Sequence, residues 1–505
     1  MLLLLPLQEL LKNSVWIIVL VIAGSGSGSG PVWGLAAVVV AISAGTLRWF
    51  TTRYQITAHQ VQVRRGLFRR RTLTVLRDRV RTVDLTAHIL HRMFGLASIT
   101  IGTGRTDRKD DRGLKLDGLS ASDAAWVRQE LLHKLAAKPQ ETATEASDSV
   151  DFAGPAAGEV ELARWHASWI GYGPFTLSGA VAVLAVVAFG AQIVSEVHLD
   201  PSRLGPVRDA LHGLGSGSTA LAVVVVVVAA ALVIALASTL GYILSFWNFR
   251  LTRQATTLQV TRGLLTTRVI SLDERRLRGV ELSEPLLLRL VRGARCIAIA
   301  TGLRVGRGAE RGGSMLLPPA PRATAAGVSA AILGSEAPVH GDLLAHGPTA
   351  RRRRYTRVLL ATVPALAIML IAWAVGALPA WPWQVVLALL VLGLPLARDR
   401  YRSLGHAVVG DQLVTRSGSL VQRRCMLSSE GIIGWNLHQS FFQRRARVVT
   451  LIATTAAGRQ SYRMLDLTLP EALRVAEEAR PGLLAPFLDS VRTATPEPVE
   501  AGAAT

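Results

Sequence analysis

Apolar residues fall into two alternating rhythms along this chain. Long unbroken runs come in pairs, and after each pair comes a region where apolar and polar positions alternate every second residue. A helix needs about 20 apolar residues to cross about 30 Å of hydrocarbon. Segments 31–50, 172–194, 218–247, 355–376 and the shorter 381–397 read as spanning helices on this basis. Segment 4–23 joins them despite Glu9, Lys12 and Asn13. It opens without a basic residue and shows no small-x-small cleavage pattern, so we read it as a retained helix rather than a leader. The Gly-Ser run 24–30 is then a flexible turn.

The regions between the pairs read as β-rich. Tyr54–Thr57 and Val61–Val63 alternate as half-buried strands do, Gly66 supplies a turn, and Arg70–Val75 returns as the next strand. Thr86–Phe94 reads as a turn-like or helical stretch, followed by strands at Ser98–Ile101 and Leu114–Leu116. A helix over 121–137 closes the module, with Ser120 and Asp123 spaced as a cap pair. Thr468 and Glu471 repeat that ending near the C-terminus, and the Ala-rich stretch 321–334 occupies the corresponding place in between.

These modules are copies of one another. Val61–Gly66, Leu258–Gly263 and Leu413–Gly418 align without a gap, and the register continues through Val80, Leu277 and Ile432, then Val83, Val280 and Trp435. An internal repeat of this length fixes the architecture before any motif is weighed. The expected order is hairpin 1–50, module 51–138, acidic linker 139–165, hairpin 166–247, module 248–334, linker 335–354, hairpin 355–397, module 398–489 and a disordered tail 490–505.

Composition changes the picture in one respect. Half of the 505 residues are hydrophobic and only 18% are charged, yet the net charge is +21. The basic residues cluster at one end of each apolar pair, at Arg48 and Arg53, Arg250 and Arg253, Arg351–Arg354, and Arg398, Arg400 and Arg402. The opposite turns, 24–30 and 377–380, carry no charge. By the positive-inside rule all three modules and both termini face the cytoplasm of a multi-pass membrane protein. The two cysteines, Cys296 and Cys425, read as buried thiols and build neither a disulfide framework nor a metal site.

Candidate chemistry is sparse. No Walker A, HExxH, GxSxG or CxxC pattern is present, so the expectation is a protein with no catalytic residue, no metal and no cofactor. His88 and His91 share a helical spacing but have no third ligand nearby. Asp78, Asp84, Asp273 and Glu281 are single carboxylates flanked by arginine, which reads as local ion pairing. The arginines themselves are the candidate contacts for anionic lipid or a partner: Arg64, Arg65, Arg69, Arg70, Arg92, Arg262, Arg289 and Arg444. Aromatic residues are not interleaved with them, which argues against nucleic acid.

The opening Tyr54-x-Ile-Thr…Val-x-Val-Arg-Arg-Gly66 and the later Arg79–Asp84 and Leu90–Leu96 resemble the bacterial pleckstrin-homology-like domain. Three such copies, each after a helix pair, resemble the YdbT/YdbS-like membrane proteins. That resemblance implies six transmembrane helices as three hairpins, each followed by a PH-like partly open barrel with a C-terminal helix, and it implies no activity. The third copy departs from the pattern, with Ser417 before the turn glycine and Trp435-Asn436 in place of Val-Asp. The functional expectation is a non-enzymatic scaffold for protein partners, a second copy, or the anionic inner leaflet bound without specificity. A component of a transport or export system is the alternative, although the spans after the first carry no ionisable residue in their cores.

Overall fold

The computed structural model describes residues 159–176, 219–303 and 314–485 continuously. It also describes most of 53–102, most of 114–127, and isolated helical positions at 35, 36, 39, 43 and 130. The chain divides into two compact units, Met1–Glu274 and Arg275–Thr505, and the division falls inside the second repeat.

In the first unit, β1 (Arg53–Ile56), β2 (Gln60–Arg65) and β3 (Arg71–Leu76) form an antiparallel three-stranded sheet. Seven further strands make a second sheet: β4 (Thr82–His88), β5 (Leu96–Gly102), β6 (Leu114–Ser120), β7 (Glu159–Arg164), β8 (Arg250–Gln254), β9 (Thr257–Arg262) and β10 (Thr266–Asp273). Their order is β6-β5-β4-β10-β9-β8-β7, so the join between β4 and β10 fuses strands of the first repeat to strands of the second. Period-two alternation is visible in β9, where Leu258, Val260 and Arg262 are buried and their neighbours are not. Val61 and Val63 of β2 pack with Val83, Leu85, Ile99, Ile101, Leu116, Val127 and Val269 to form the core of this unit.

Two expectations change here. Residues 86–88 are strand rather than turn or helix, because β4 is hydrogen-bonded on one side to β5 and on the other to β10. Residues 159–164, read as part of the acidic linker, form β7. Paired along β8, with Glu161 3.5 Å from Arg250, the segment satisfies its backbone groups on the sheet edge. The cap spacing holds, with Asp123 N donating to Ser120 Oγ at 2.9 Å. A 3-10 helix at Ala167–Phe175 packs on α1 (Thr219–Phe246). Gly173 allows the approach, since a Cβ there would lie 2.8 Å from Thr239 Cα, and the Thr176 and Ser238 hydroxyls meet at 2.8 Å.

The second unit begins with β11 (Leu277–Pro285), α2 (Leu286–Leu290), β12 (Gly293–Ala300), β13 (Met315–Pro321), α3 (Arg322–Leu333) and α4 (Ala337–His340). Two long helices follow, α5 (Pro348–Ala374) and α6 (Trp381–Arg402). It ends with β14 (Gly405–Val409), β15 (Gln412–Ser417), β16 (Val421–Ser428), β17 (Gly434–His438), α7 (Phe441–Arg445), β18 (Val449–Thr454), β19 (Ser461–Leu467) and α8 (Leu469–Ala479). The sheet β13-β12-β11-β16-β15-β14 again fuses two repeats, this time through β11 and β16. A smaller sheet, β17-β18-β19, packs with α8 around Leu451, Tyr462, Met464, Val475 and Ala476. Gly263 and Gly418 take φ of +111° and +104°, and a Cβ on either would strike the carbonyl oxygen of Thr266 or Val421, so the repeated turn demands glycine.

Among the described residues three helices are long and apolar enough to cross a membrane: Val228–Phe246 within α1, α5 and α6. The last two form a hairpin, with Gly393 against Val358 and the Trp373 and Trp383 rings 5.8 Å apart. Leu360, Ile371, Val375, Leu389 and Leu392 are exposed on it, as lipid-facing residues are. Segment 4–23 lies outside the described residues, as do most of 31–50 and 177–194. The 335–354 segment, read as a linker, is ordered. The Arg424 guanidinium donates to the Pro338 and Gly341 carbonyls at 3.0 and 2.6 Å, and α5 already begins at Pro348.

Candidate functional site at the foot of a membrane hairpin

Helix α5 starts in a run of four arginines, and helical geometry sorts them onto different faces. Arg353 and Arg354 turn inward and are 8% and 2% exposed. Both reach Asp466 of β19, Arg353 Nη1 at 3.3 Å from Oδ1 and Arg354 Nη2 at 2.9 Å from Oδ2. Gln443 of α7 donates to the same Asp466 Oδ1 at 2.9 Å and to Thr450 Oγ1 at 2.8 Å. Asp466 holds φ of +61°, a strained value for a residue with a side chain, kept in place by this convergence. One carboxylate against two guanidiniums leaves the cluster net positive.

Arg352 and Arg357 stay exposed on α5 and line a groove of about 700 Å³ with Pro348, Thr349, Arg353, Thr356 and Leu360. The opposite wall is Ser440, Phe442, Arg445 and Ala446. Four arginines and no carboxylate line it, Leu360 is the lining residue furthest along the apolar part of α5, and the exposed rings of Phe441 and Phe442 stand beside it. A groove of this charge fits an anion through charge-assisted, bidentate hydrogen bonds.

Two buried histidines sit just below α5 and α6. His346 Nδ1 lies 2.6 Å from the Leu465 carbonyl, so that nitrogen carries the proton and donates. Its Nε2 then accepts from His406 Nδ1 at 3.2 Å, and Tyr401 donates to the His346 carbonyl at 2.9 Å. Burial is the first cause holding both imidazoles down, to about 4, so the pair is neutral at pH 7.

The two inter-repeat joins share one polar device. Arg268 Nη2 of β10 lies 3.2 Å from Asp84 Oδ2 of β4, and Arg423 Nε of β16 lies 3.2 Å from Glu281 Oε1 of β11. Asp84 and Glu281 are therefore each paired with an arginine of the following repeat. Burial pushes the Asp84 carboxyl above its ordinary range, and Arg268 offsets this only in part. Burial also raises both thiols, Cys296 to about 12 and Cys425 well above its ordinary value, which makes them inert.

The arginines singled out from sequence do not form one cluster. Arg64 is exposed on β2, and Arg65 belongs to the same strand. Arg69 and Arg70 lie outside the described residues. Arg92 is exposed and donates to the Leu264 carbonyl at 3.2 Å. Arg262 is 5% exposed with its guanidinium 5.1 Å above the Phe246 ring, so its charge is turned inward. Arg289 donates to Asp399 at 2.7 Å and Gln422 at 2.8 Å, holding α2 to the end of α6. Arg444 is exposed on α7, one residue from the groove. The groove residues Arg352, Arg353 and Arg357 were visible in sequence only as a topology signal. Their spacing marks one helix face, but nothing in it names Phe442 and Arg445 as the opposite wall.

The family model of the bacterial PH domain matches residues 4–135, 211–325 and 356–481. The chain belongs to the bacterial PH domain family. It is also similar to the UPF0699 transmembrane protein YdbT of Bacillus subtilis (strain 168), with 21% identity over 447 residues, 85% of this chain and 84% of that protein. No solved structure matches the chain. Each matched segment begins in an apolar run and ends in a β-rich module, and the membrane helices described above agree with a membrane protein.

Proposed function

We propose that this protein is a non-enzymatic membrane scaffold whose PH-like modules lie against the cytoplasmic leaflet, engaging anionic phospholipid headgroups there and presenting sheet edges to protein partners. The observation that carries the reading is the groove at the foot of α5. It combines four arginines, no lining carboxylate, and the apolar side chains Leu360 and Phe442, which would suit the start of a lipid's acyl chains. Near an anionic leaflet each basic residue contributes about 1 kcal/mol of attraction. Charge asymmetry around the apolar pairs supports the cytoplasmic placement.

The test is thermal unfolding of the detergent-solubilised full chain with added lipid. Phosphatidylglycerol is expected to raise Tm more than phosphatidylcholine does, and the triple variant Arg352→Gln/Arg357→Gln/Arg445→Gln to lose that difference while Arg463→Gln, on the exposed side of β19, keeps it. Equal shifts from both lipids, or an unchanged triple variant, would refute headgroup binding. Reporter fusions test the orientation separately: position 205 is expected outside, positions 110 and 310 inside.

A further inference from the structure

Both inter-repeat joins are built to one specification. Counting from the turn glycine, the seventh residue is Ile270 after Gly263 and Cys425 after Gly418. Ile270 stands opposite Asp84, and Cys425 stands opposite Glu281. The fifth residue is Arg268 or Arg423, and in each join it closes on that carboxylate at 3.2 Å. A strand ending the first half of one repeat thus receives a strand opening the second half of the preceding repeat, in the same register and with the same ion pair.

The first repeat carries a third copy of the receiving strand, and nothing described fills it. β3 follows Gly66 as β10 and β16 follow their glycines, with Arg71 fifth and Leu73 seventh. Among the described residues β3 pairs with β2 alone. Leu73 is 47% exposed and Leu76 46%, and Thr72 and Thr74 on either side of Leu73 are exposed too. An edge strand with exposed apolar side chains and unpaired backbone groups invites an added strand.

A second copy of this chain is a poor occupant. Among the described residues its free strand of the matching type is β17, where Asn436 stands in the register position of Asp84 and Glu281. A carboxylate there would let copies join head to tail without closure, and asparagine withholds the charge that join uses.

We propose that β3 is a docking edge for a PH-type module of a different polypeptide, one whose incoming strand carries Asp or Glu opposite Leu73 to pair with Arg71. The added strand extends the β1-β2-β3 sheet antiparallel to β3, as β4 extends the sheet at β10. This names one partner chemistry within the scaffold reading and is independent of the lipid groove.

The experiment places a photocrosslinking amino acid at Thr72 or Thr74 of the full chain in its native membrane, with Arg463 as the control position. The expected adduct maps by mass spectrometry to a strand of a PH-type module in another protein, with an acidic residue in register. Arg71→Glu is expected to cut its yield about tenfold, a change of about 1.4 kcal/mol. Arg71→Lys is expected to retain part of it, and Arg64→Gln on the neighbouring strand to leave it unchanged. Reversing the partner's carboxylate to lysine is expected to restore the adduct to Arg71→Glu. Adducts to β17 of a second copy, adducts within the same chain, or yields indifferent to Arg71 would each overturn the proposal. Loss of β3 adducts while other positions still capture partners would leave the scaffold reading standing without this edge.

Discussion

The β4·β10 join and the β11·β16 join use the same register and the same arginine, yet they bury their charge differently. Asp84 has one described guanidinium in ion-pair contact, Arg268, with Arg262 acting on it from further off, and among the described residues its Oδ1 has no hydrogen-bond partner. Glu281 is 0% exposed and has two, Arg423 at 3.2 Å and Arg459 at 3.1 Å. The extra arginine comes from the turn between β18 and β19, so the third repeat grips the second with two elements rather than one. The lesson is that a repeated strand join tolerates a fully buried carboxylate only where a second cation arrives from outside the repeat pattern.

The sharpest way to break the comparison is Glu281→Gln. It leaves Arg423 and Arg459 facing a neutral amide in a buried site, and we expect a loss of about 3–5 kcal/mol, read as the largest fall in Tm among these variants. Acidification should separate the regions next. His346 and His406 are held at about 4 in the native state against an ordinary 6.5, so the unfolded chain takes up protons first as pH falls. Their contribution is complete above about 6.5 and is lost between there and about 4, on the order of 2–4 kcal/mol in unit two. His346→Gln/His406→Gln should flatten that slope in a Tm-versus-pH series.

Asp84 runs the other way. Its carboxyl is raised, so the native state binds its proton first as pH falls, and the stability this contributes is lost as pH rises through the native value. Asp84→Asn is therefore expected to cost only about 1–2 kcal/mol at pH 7 and to remove the opposing slope. The smallest effect on stability belongs to Asn436→Asp, which puts a carboxylate on the exposed β17 edge. We expect a change within about 0.5 kcal/mol. We also expect a gain of self-association by size-exclusion chromatography, because β17 then carries what the internal joins carry.

Much of the fold was legible in the sequence because its signals are local. Gly263 and Gly418 announce a positive-φ turn that no other residue takes without a clash. The Thr468–Glu471 spacing announces a helix cap, and the structure closes it at 3.4 Å. The 159–164 strand was missed because its composition is that of an acidic linker, and only the free edge of β8 makes it a strand. The surroundings of each basic residue were illegible for the same reason. By residue type Arg262 and Arg64 are alike, yet one stacks over Phe246 inside the protein and the other faces solvent.

Repetition and apolar length are properties of the chain read in order, so the sequence alone determined that β-rich modules preceded by apolar segments recur and belong in a membrane protein. Which strand completes which sheet depends on residues far apart meeting, as Arg268 meets Asp84. Tertiary structure alone decided that the sheets run across repeats, and that Arg353 and Arg354 close on Asp466 while Arg352 and Arg357 stay exposed along a groove. The physical reason is that burial and pairing, not residue type, set whether an arginine's charge is spent inside the protein or offered at its surface.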